Sequence, residues 1–443
     1  MIRLITTTAA LVLSLIAFTQ SDTYYMNDWT STSQWNYNPA LQSKAKVFLY
    51  IPVLSGTNVH AGHTGFSFDD AVQNNQLNIT GLINGLEDEN HLLTQTRTDL
   101  FGFGLKFGNV QVRAGVQNVG DLRFAYSKDF LELIWKGNGH PDVIGRRMNM
   151  DGTSANGISY MSYFLGGSAS LLDNKLNIGL NANIYNGIGT VFTESSSFGL
   201  TTNATDYAVT VDGGYDVRTA GTDLDSSETK DFLPFSNNGN NGFGVDLGIT
   251  YAVTEKLTIE ASALDLGQIK WTQNVENYQL ANTEISYSGF ELNEFINSAD
   301  SAQSVIEQFS DSISDAFVPT ENSDSFTTSM NHQIFIRGVY DLNDNNEISA
   351  FVSQQKSYGT NFVNFGALYA HNFGRVLKLR TGFQMFRSKD LIIPVGLVLH
   401  AGPVELGLHT DNILSVIQPN NTKHLSGMFS IGFLFGKEKD NRN

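Results

Sequence analysis

The chain has 443 residues with 41 Gly, 30 Phe, only 8 Pro and no Cys, enough for one very large β domain or several smaller ones. The missing cysteines exclude a disulfide framework and thiolate metal sites. A net charge of −17 excludes nucleic acid as a partner, because phosphates call for a basic surface. A mean hydropathy of −0.16 excludes a helical membrane protein.

Residues 1–19 carry Arg3, an apolar core and the small-residue stretch Ala17-Phe18-Thr19, the pattern of a secretory signal peptide. The run is short and Thr-rich for an anchor that must span about 30 Å of hydrocarbon. Residues 20–44 place Trp29 and Trp35 among polar residues and end in Asn38-Pro39-Ala40-Leu41. So many aromatic residues argue against a disordered tail, so this segment is expected to be tucked inside the fold.

Strands begin at Lys46 and alternate with period 2. Phe101, Phe103, Leu105 and Phe107 alternate with Gly102, Gly104 and Lys106, and after a turn at Gly108-Asn109 the pattern returns through Val110, Val112, Ala114 and Val116. The same arrangement recurs around Asp173-Asn174. It is clearest in Gly242 to Trp271, where Phe243, Val245, Leu247, Ile249 and Tyr251 oppose Gly244, Asp246, Gly248 and Thr250. The return strand slips phase near Leu264, which reads as a β-bulge. Further tight turns are expected within Asp341–Asn346, at Gly374-Arg375 and at Gly402-Pro403.

Between these hairpins lie longer connections at 69–97, 127–157, 190–241 and 273–330, and shorter ones near 357–361, 387–390 and 412–424. Six tight turns and seven longer loops join about fourteen antiparallel strands, an all-β pattern of short turns and long outer loops that fits a transmembrane β-barrel over 45–436, with a polar tail at 437–443. In lipid every backbone N–H and C=O must be paired, so a sheet can cross only when it has no edge. The last strand alternates Phe429, Ile431, Phe433 and Phe435 with Ser430, Gly432 and Leu434. Tyr251 and Tyr340 at one end, with Tyr126, Tyr160 and Trp271 at the other, are expected to form interfacial girdles. The expected location is the outer membrane, in contact with its lipid.

One amphipathic acidic helix is expected in the 273–330 loop, its apolar face formed by Leu292, Phe295, Ile296, Val305, Ile306, Phe309, Ile313 and Phe317. Fourteen strands enclose a lumen roughly 25–28 Å across, backbone to backbone. Charged residues on the inward face are Lys106, Arg113, Asp246, Glu260, Arg337, Lys378, Arg380, Glu405 and Asp411, both signs together, which predicts ion pairs bridging the lumen. Asp341, Asn343 and Asn345 copy the start of a calcium loop, but Asn346 stands where glycine is required, so an Asn-rich turn is the better reading. His60 and His63 fall on opposite faces of a strand. No catalytic, metal or cofactor site is expected, and the protein is not read as an enzyme.

The leader, the aromatic segment ending in Asn38-Pro39-Ala40 and the strand count resemble FadL-type outer-membrane transporters and the PorV-type barrels of type 9 secretion. Asp246-Leu247-Gly248, the run Ala263 to Trp271 and Asp411-Asn412-Ile413-Leu414 resemble an uncharacterised family of Bacteroidota barrel proteins with a domain of unknown function. The resemblance implies that Asn38, Pro39 and Ala40 form a hatch inside the barrel, in the same segment whose Trp29 and Trp35 need apolar neighbours and are expected to fill the lumen. It also implies passive transport of small hydrophobic molecules, with a small hydrophobic ligand. The PorV likeness implies instead a structural barrel that binds a secretion or surface protein.

Overall fold

The computed structural model describes residues 34–50, 56–73, 76–221, 239–288, 315–387 and 389–437. Trp29 and the helix positions Leu292, Phe295, Ile296, Val305, Ile306, Phe309 and Ile313 lie outside them. Phe317 is described and sits half-buried in a turn.

Fourteen antiparallel strands close into one barrel. Strand β1 comes in two pieces, Ala45–Tyr50 and Thr57–His63, followed by β2 (Glu89–Phe107), β3 (Val110–Ser127), β4 (Ser154–Leu171), β5 (Leu176–Thr202), β6 (Asn241–Ala252) and β7 (Leu257–Trp271). The second half is β8 (Gln333–Asn343), β9 (Asn346–Ser357), β10 (Thr360–Phe373), β11 (Leu377–Phe386), β12 (Val395–Ala401), β13 (Val404–Thr410) and β14 (His424–Lys437). Each strand pairs with the next, and β1 closes the ring onto β14 through Val47↔Phe435 and Thr57↔Phe429. Apart from one stretch of the seam between β1 and β2, the described sheet meets the condition that lipid imposes on backbone polar groups.

The alternation decides which side faces out. Phe103, Leu180, Ile249, Val352, Phe365 and Phe429 are each 40–45% exposed on the outer surface, while Arg113, Asn181, Arg337 and Gln384 are buried toward the lumen. Gly108 and Gly402, in the tight turns, have φ of +58° and +61°, a region open to glycine at no steric cost. The turn between β8 and β9 is Asp344-Asn345, within the Asn-rich stretch.

Two expectations change. The stretches 190–241 and 273–330 are not simply loops: β5 runs on to Thr202 and pairs with a strand at Val209–Gly221, which pairs in turn with Glu276–Tyr287. Beyond the bilayer a strand needs no apolar face, so these segments lack the period that reveals a spanning strand. Short helices at Ile79–Gly85, Lys128–Lys136 and Ile413–Ile417 also lie in stretches read as loops.

Tyr126, Tyr160 and Trp271 do not form an outer girdle. They are only 7%, 3% and 0% exposed, and Tyr160 and Trp271 belong to an apolar cluster with Val119, Ile158, Tyr185 and Phe326. The reason for Trp271 is the bulge. Val245 pairs with Leu266 and Leu247 with Ala263, leaving Leu264 and Asp265 opposite Asp246 alone. The extra residue reverses the facing of all that follows, so Ile269 and Trp271 point inward.

Candidate functional site

The N-terminal segment forms the floor of the lumen. Gln34–Asn36 is one turn of 3-10 helix, all three side chains buried. Trp35 stacks on Phe48 and Tyr50 of β1, with ring centroids 4.8 and 5.7 Å apart. Those two rings lie over Gly102 and Gly104 of β2, where a Cβ would come within about 2 Å of them. The Tyr37 ring meets Phe335 edge-on at 4.7 Å, and its hydroxyl donates to Glu260 Oε2 at 2.8 Å.

The Asn38-Pro39-Ala40 turn is held from three sides. Asn38 Nδ2 donates to the carbonyls of Ile249 and Ala261, both at 3.3 Å, and Arg113 Nη2 donates to Pro39 O at 2.8 Å. Gly179 and Gly248 make the close approach possible, since a Cβ would stand 2.0 Å from Pro39 O and 2.1 Å from Asn38 Oδ1 respectively.

Above this floor the β7 bulge turns Asp265 into the lumen, at φ +56°, and its backbone N–H donates to Asp246 Oδ1 at 2.8 Å. From the far wall Arg97 of β2 reaches Asp265 Oδ2 at 2.8 Å. Asp246 also accepts from Asn181 and Asn183 at 3.1 and 3.0 Å. Two adjoining cavities flank the Arg97–Asp265 bridge, the larger about 50 Å³. Carboxylates and amides line them together with Val119, Ile158, Tyr160, Leu264 and Met330.

The tip of the β9–β10 hairpin roofs this chamber. Arg123 of β3 donates through Nη1 to Ser357 O at 2.9 Å, and the Tyr358 hydroxyl donates to Asp121 O at 3.3 Å. Strand β3 lies six strands from β9 around the ring, so these bonds cross the lumen. Phe362 lies beneath both Arg123 and Arg387, whose guanidinium carbons stand 5.6 and 5.7 Å from the ring centroid.

The side wall has a gap in its pairing, although the two strands stay side by side. The lower piece of β1 pairs with β2 from Val47↔Leu105 to Tyr50↔Gly102, and the upper piece only at His63↔Leu92. Between them, Thr57–Gly62 and Leu93–Thr98 share no ladder pair among the described residues. The Asp99 N–H bond to Gly56 O, 2.8 Å, forms the sill. On its other edge β1 here pairs with Phe429–His424, and Phe429 and Leu425 are outward-facing and about 40% exposed. The gap therefore lies at the height of lipid-facing side chains, while Gln95, Thr96 and Arg97 behind it line the larger cavity.

The remaining charged positions mostly pair along the wall. Glu260 bonds Arg337 on the next strand at 2.9 Å, and Glu347 meets Arg380 at 3.1 Å and Lys378 at 3.8 Å. Glu405 lies 3.4 Å from His400, and Asp411 3.0 Å from His409. Lys106 is half-buried near the short turns, and Arg113 reaches Asn181 rather than a carboxylate. The expected bridging of the lumen thus falls to Arg97 and Asp265, neither of them singled out from the sequence. Arg97 lay in a stretch read as loop and Asp265 on an apolar register. The available signal was an aspartate at the phase slip. No group of three or more metal-ligating side chains gathers among the described residues. His60 is buried with its ring 5.9 Å from that of His424, whereas His63 contacts Tyr126.

A family of unknown function, DUF5723, matches residues 39–411. No curated protein matches. Similar solved structures include the Ralstonia pickettii toluene transporter TbuX, with 11% identity, TM-score 0.43 and coverage of 91% of this chain and 94% of that one. A deletion mutant of the monoaromatic hydrocarbon channel TodX has 9% identity, TM-score 0.45 and coverage of 92% and 96%. A Pseudomonas aeruginosa FadL homologue has 10% identity, TM-score 0.44 and coverage of 91% and 94%. Likenesses this distant assign no residue a role.

Proposed function

The chain belongs to DUF5723, a family of unknown function, and for this member we propose passive transport of small hydrophobic molecules through the outer membrane. The observation that carries the reading is the stretch between Thr57–Gly62 and Leu93–Thr98, where the two strands lie side by side without ladder pairs and leave a weak seam in the wall beside the chamber. A water-filled pore has a polar lumen and an unbroken wall. Here the floor is occupied by the N-terminal segment, acting as a plug, and the upper lumen is lined by Val119, Ile158, Tyr185, Trp271 and Phe326. A cargo that dissolves in lipid can use a side exit that a hydrophilic solute cannot.

The test closes the exit. Continuing the His63↔Leu92 register sets Val59 opposite Thr96, so Val59→Cys with Thr96→Cys in this cysteine-free chain places two thiols across the gap. Bridging them with a short bismaleimide should slow entry of naphthalene into proteoliposomes, while either single variant treated alike transports normally. Equal uptake with and without the bridge overturns the reading.

A second reading, a barrel that binds a secretion or surface protein, has one observation in its favour. On the outer helix Lys128–Lys136, Asp129 and Glu132 face Arg146 at 3.0 and 2.9 Å, leaving Ile134 and Trp135 65% and 57% exposed. Retention of a protein partner through purification in mild detergent, with Trp135→Ala releasing it, would favour that role.

A further inference from the structure

The chamber's charge is unbalanced. The charged groups lining the two cavities are Arg97 against Asp121, Asp246 and Asp265. Arg97 is engaged with Asp265. Asp246 is met by two asparagine amides and a backbone N–H, and Asp121 by the amide of Gln95. Just outside the lining, Arg113 is turned to Asn181 and Pro39, and Asp99 is held by Gln117 and Asn36. Arg123 is spent on Ser357 O and His91. Arg113 and Arg123 offset Asp246 and Asp121 from outside the lining, so the cavity wall itself keeps more carboxylates than cations, and in a low-dielectric enclosure that excess attracts a cation.

A second, independent feature marks the same place. The Tyr160 side chain is 97% buried, lines both cavities, and its hydroxyl has no hydrogen-bond partner among the described residues. A buried hydroxyl without a partner is costly, and here it borders empty space beside the Asp265 carboxylate. The cavity of about 50 Å³ admits a group of a few heavy atoms and not a hydrocarbon chain. A chain attached to that group would meet the β1–β2 seam, since Gln95, Thr96 and Arg97 both line the cavity and edge that seam.

We propose that the chamber receives the cationic head group of a small amphipathic amine, with Asp265 and Asp246 as the counter-charge, Tyr160 as the hydrogen-bond partner, and the apolar tail directed toward the unpaired seam at Thr57–Gly62. The assignment rests on the transport reading and narrows its cargo to molecules that join an ammonium to a short apolar chain.

Three probes of one length separate the possibilities: n-octylamine, 1-octanol and octanoate, titrated calorimetrically into the detergent-solubilised full chain at neutral pH, with matched blanks into empty micelles. The amine should bind at least tenfold more tightly than the alcohol, and octanoate more weakly than both. In Asp265→Asn, a residue type that tolerates the left-handed backbone, the amine's advantage over the alcohol should fall below threefold while alcohol binding is kept. Tyr160→Phe should weaken amine and alcohol alike. Equal binding of amine and alcohol, tighter binding of octanoate, or an undiminished amine preference in Asp265→Asn overturns the head-group assignment and leaves transport standing. Binding of none of the three overturns both. If Asp265→Asn fails to fold, the ranking of the three probes on the unaltered protein decides.

Discussion

Arg97 and Asp265 meet across the lumen, Nη2 to Oδ2 at 2.8 Å, from strands β2 and β7, which share no ladder pair. The carboxylate gets there because a single extra residue in β7 turns it from the lipid side to the inside. The bridge ties opposite walls together and divides the chamber in two.

Removing the arginine leaves a carboxylate facing a cavity without its cation. Both side chains keep 13–17% exposure, so the cost falls between that of a buried and a surface pair, about 1–3 kcal/mol for Arg97→Ala. The double variant Arg97→Ala with Asp265→Asn should recover part of that loss, because the two sites are coupled. Urea midpoints of the barrel in detergent, read from tryptophan fluorescence, give the cycle. Strict additivity would show that the contact is not energetically coupled.

Gly179→Ala pushes a methyl group to within 2.0 Å of Pro39 O, and the lumen segment must shift while the outer wall of β5 is untouched. Single-channel conductance in planar bilayers should rise by at least twofold, with the barrel still folded. Asn38→Ala, which drops both bonds to Ile249 and Ala261, should act in the same direction. Unchanged conductance in both would mean that the Asn38-Pro39-Ala40 turn does not limit the pore.

The roof can be read by labelling. Gln355 is 6% exposed and lines the larger cavity, so in a chain without native cysteine Gln355→Cys should react slowly with a charged maleimide added from outside. Adding Arg123→Ala, which frees Ser357 O at the hairpin tip, should speed labelling at least tenfold. Equal rates would place the barrier elsewhere.

Trp271 is fully buried, and its Nε1 donates to Thr328 Oγ1 at 2.9 Å. Trp271→Ala should cost about 3–5 kcal/mol, and Trp271→Phe, which loses the hydrogen bond but keeps most of the volume, should cost roughly a third of that. A denaturation midpoint for Trp271→Ala within error of the unaltered protein would contradict its place in the upper lumen.

The residues between the turns and the lipid boundary declare themselves along the chain. Phe243 to Tyr251 alternate because one face meets hydrocarbon and the other does not, and a solvent difference repeated every two residues is a local property that any reader of the sequence can count. Strand number, inside and outside, tight turns and the bulge near Leu264 follow from it. What the bulge does was not legible, because the direction of Asp265 and Trp271 depends on how Val245 and Leu247 pair across β6. Nor could the sequence join Arg97 to Asp265, 168 positions apart, or Arg123 to Ser357, 234 apart. Ring closure alone makes them neighbours. The gap between β1 and β2 was equally hidden, since an unpaired edge is a relation between two strands and leaves no period in either.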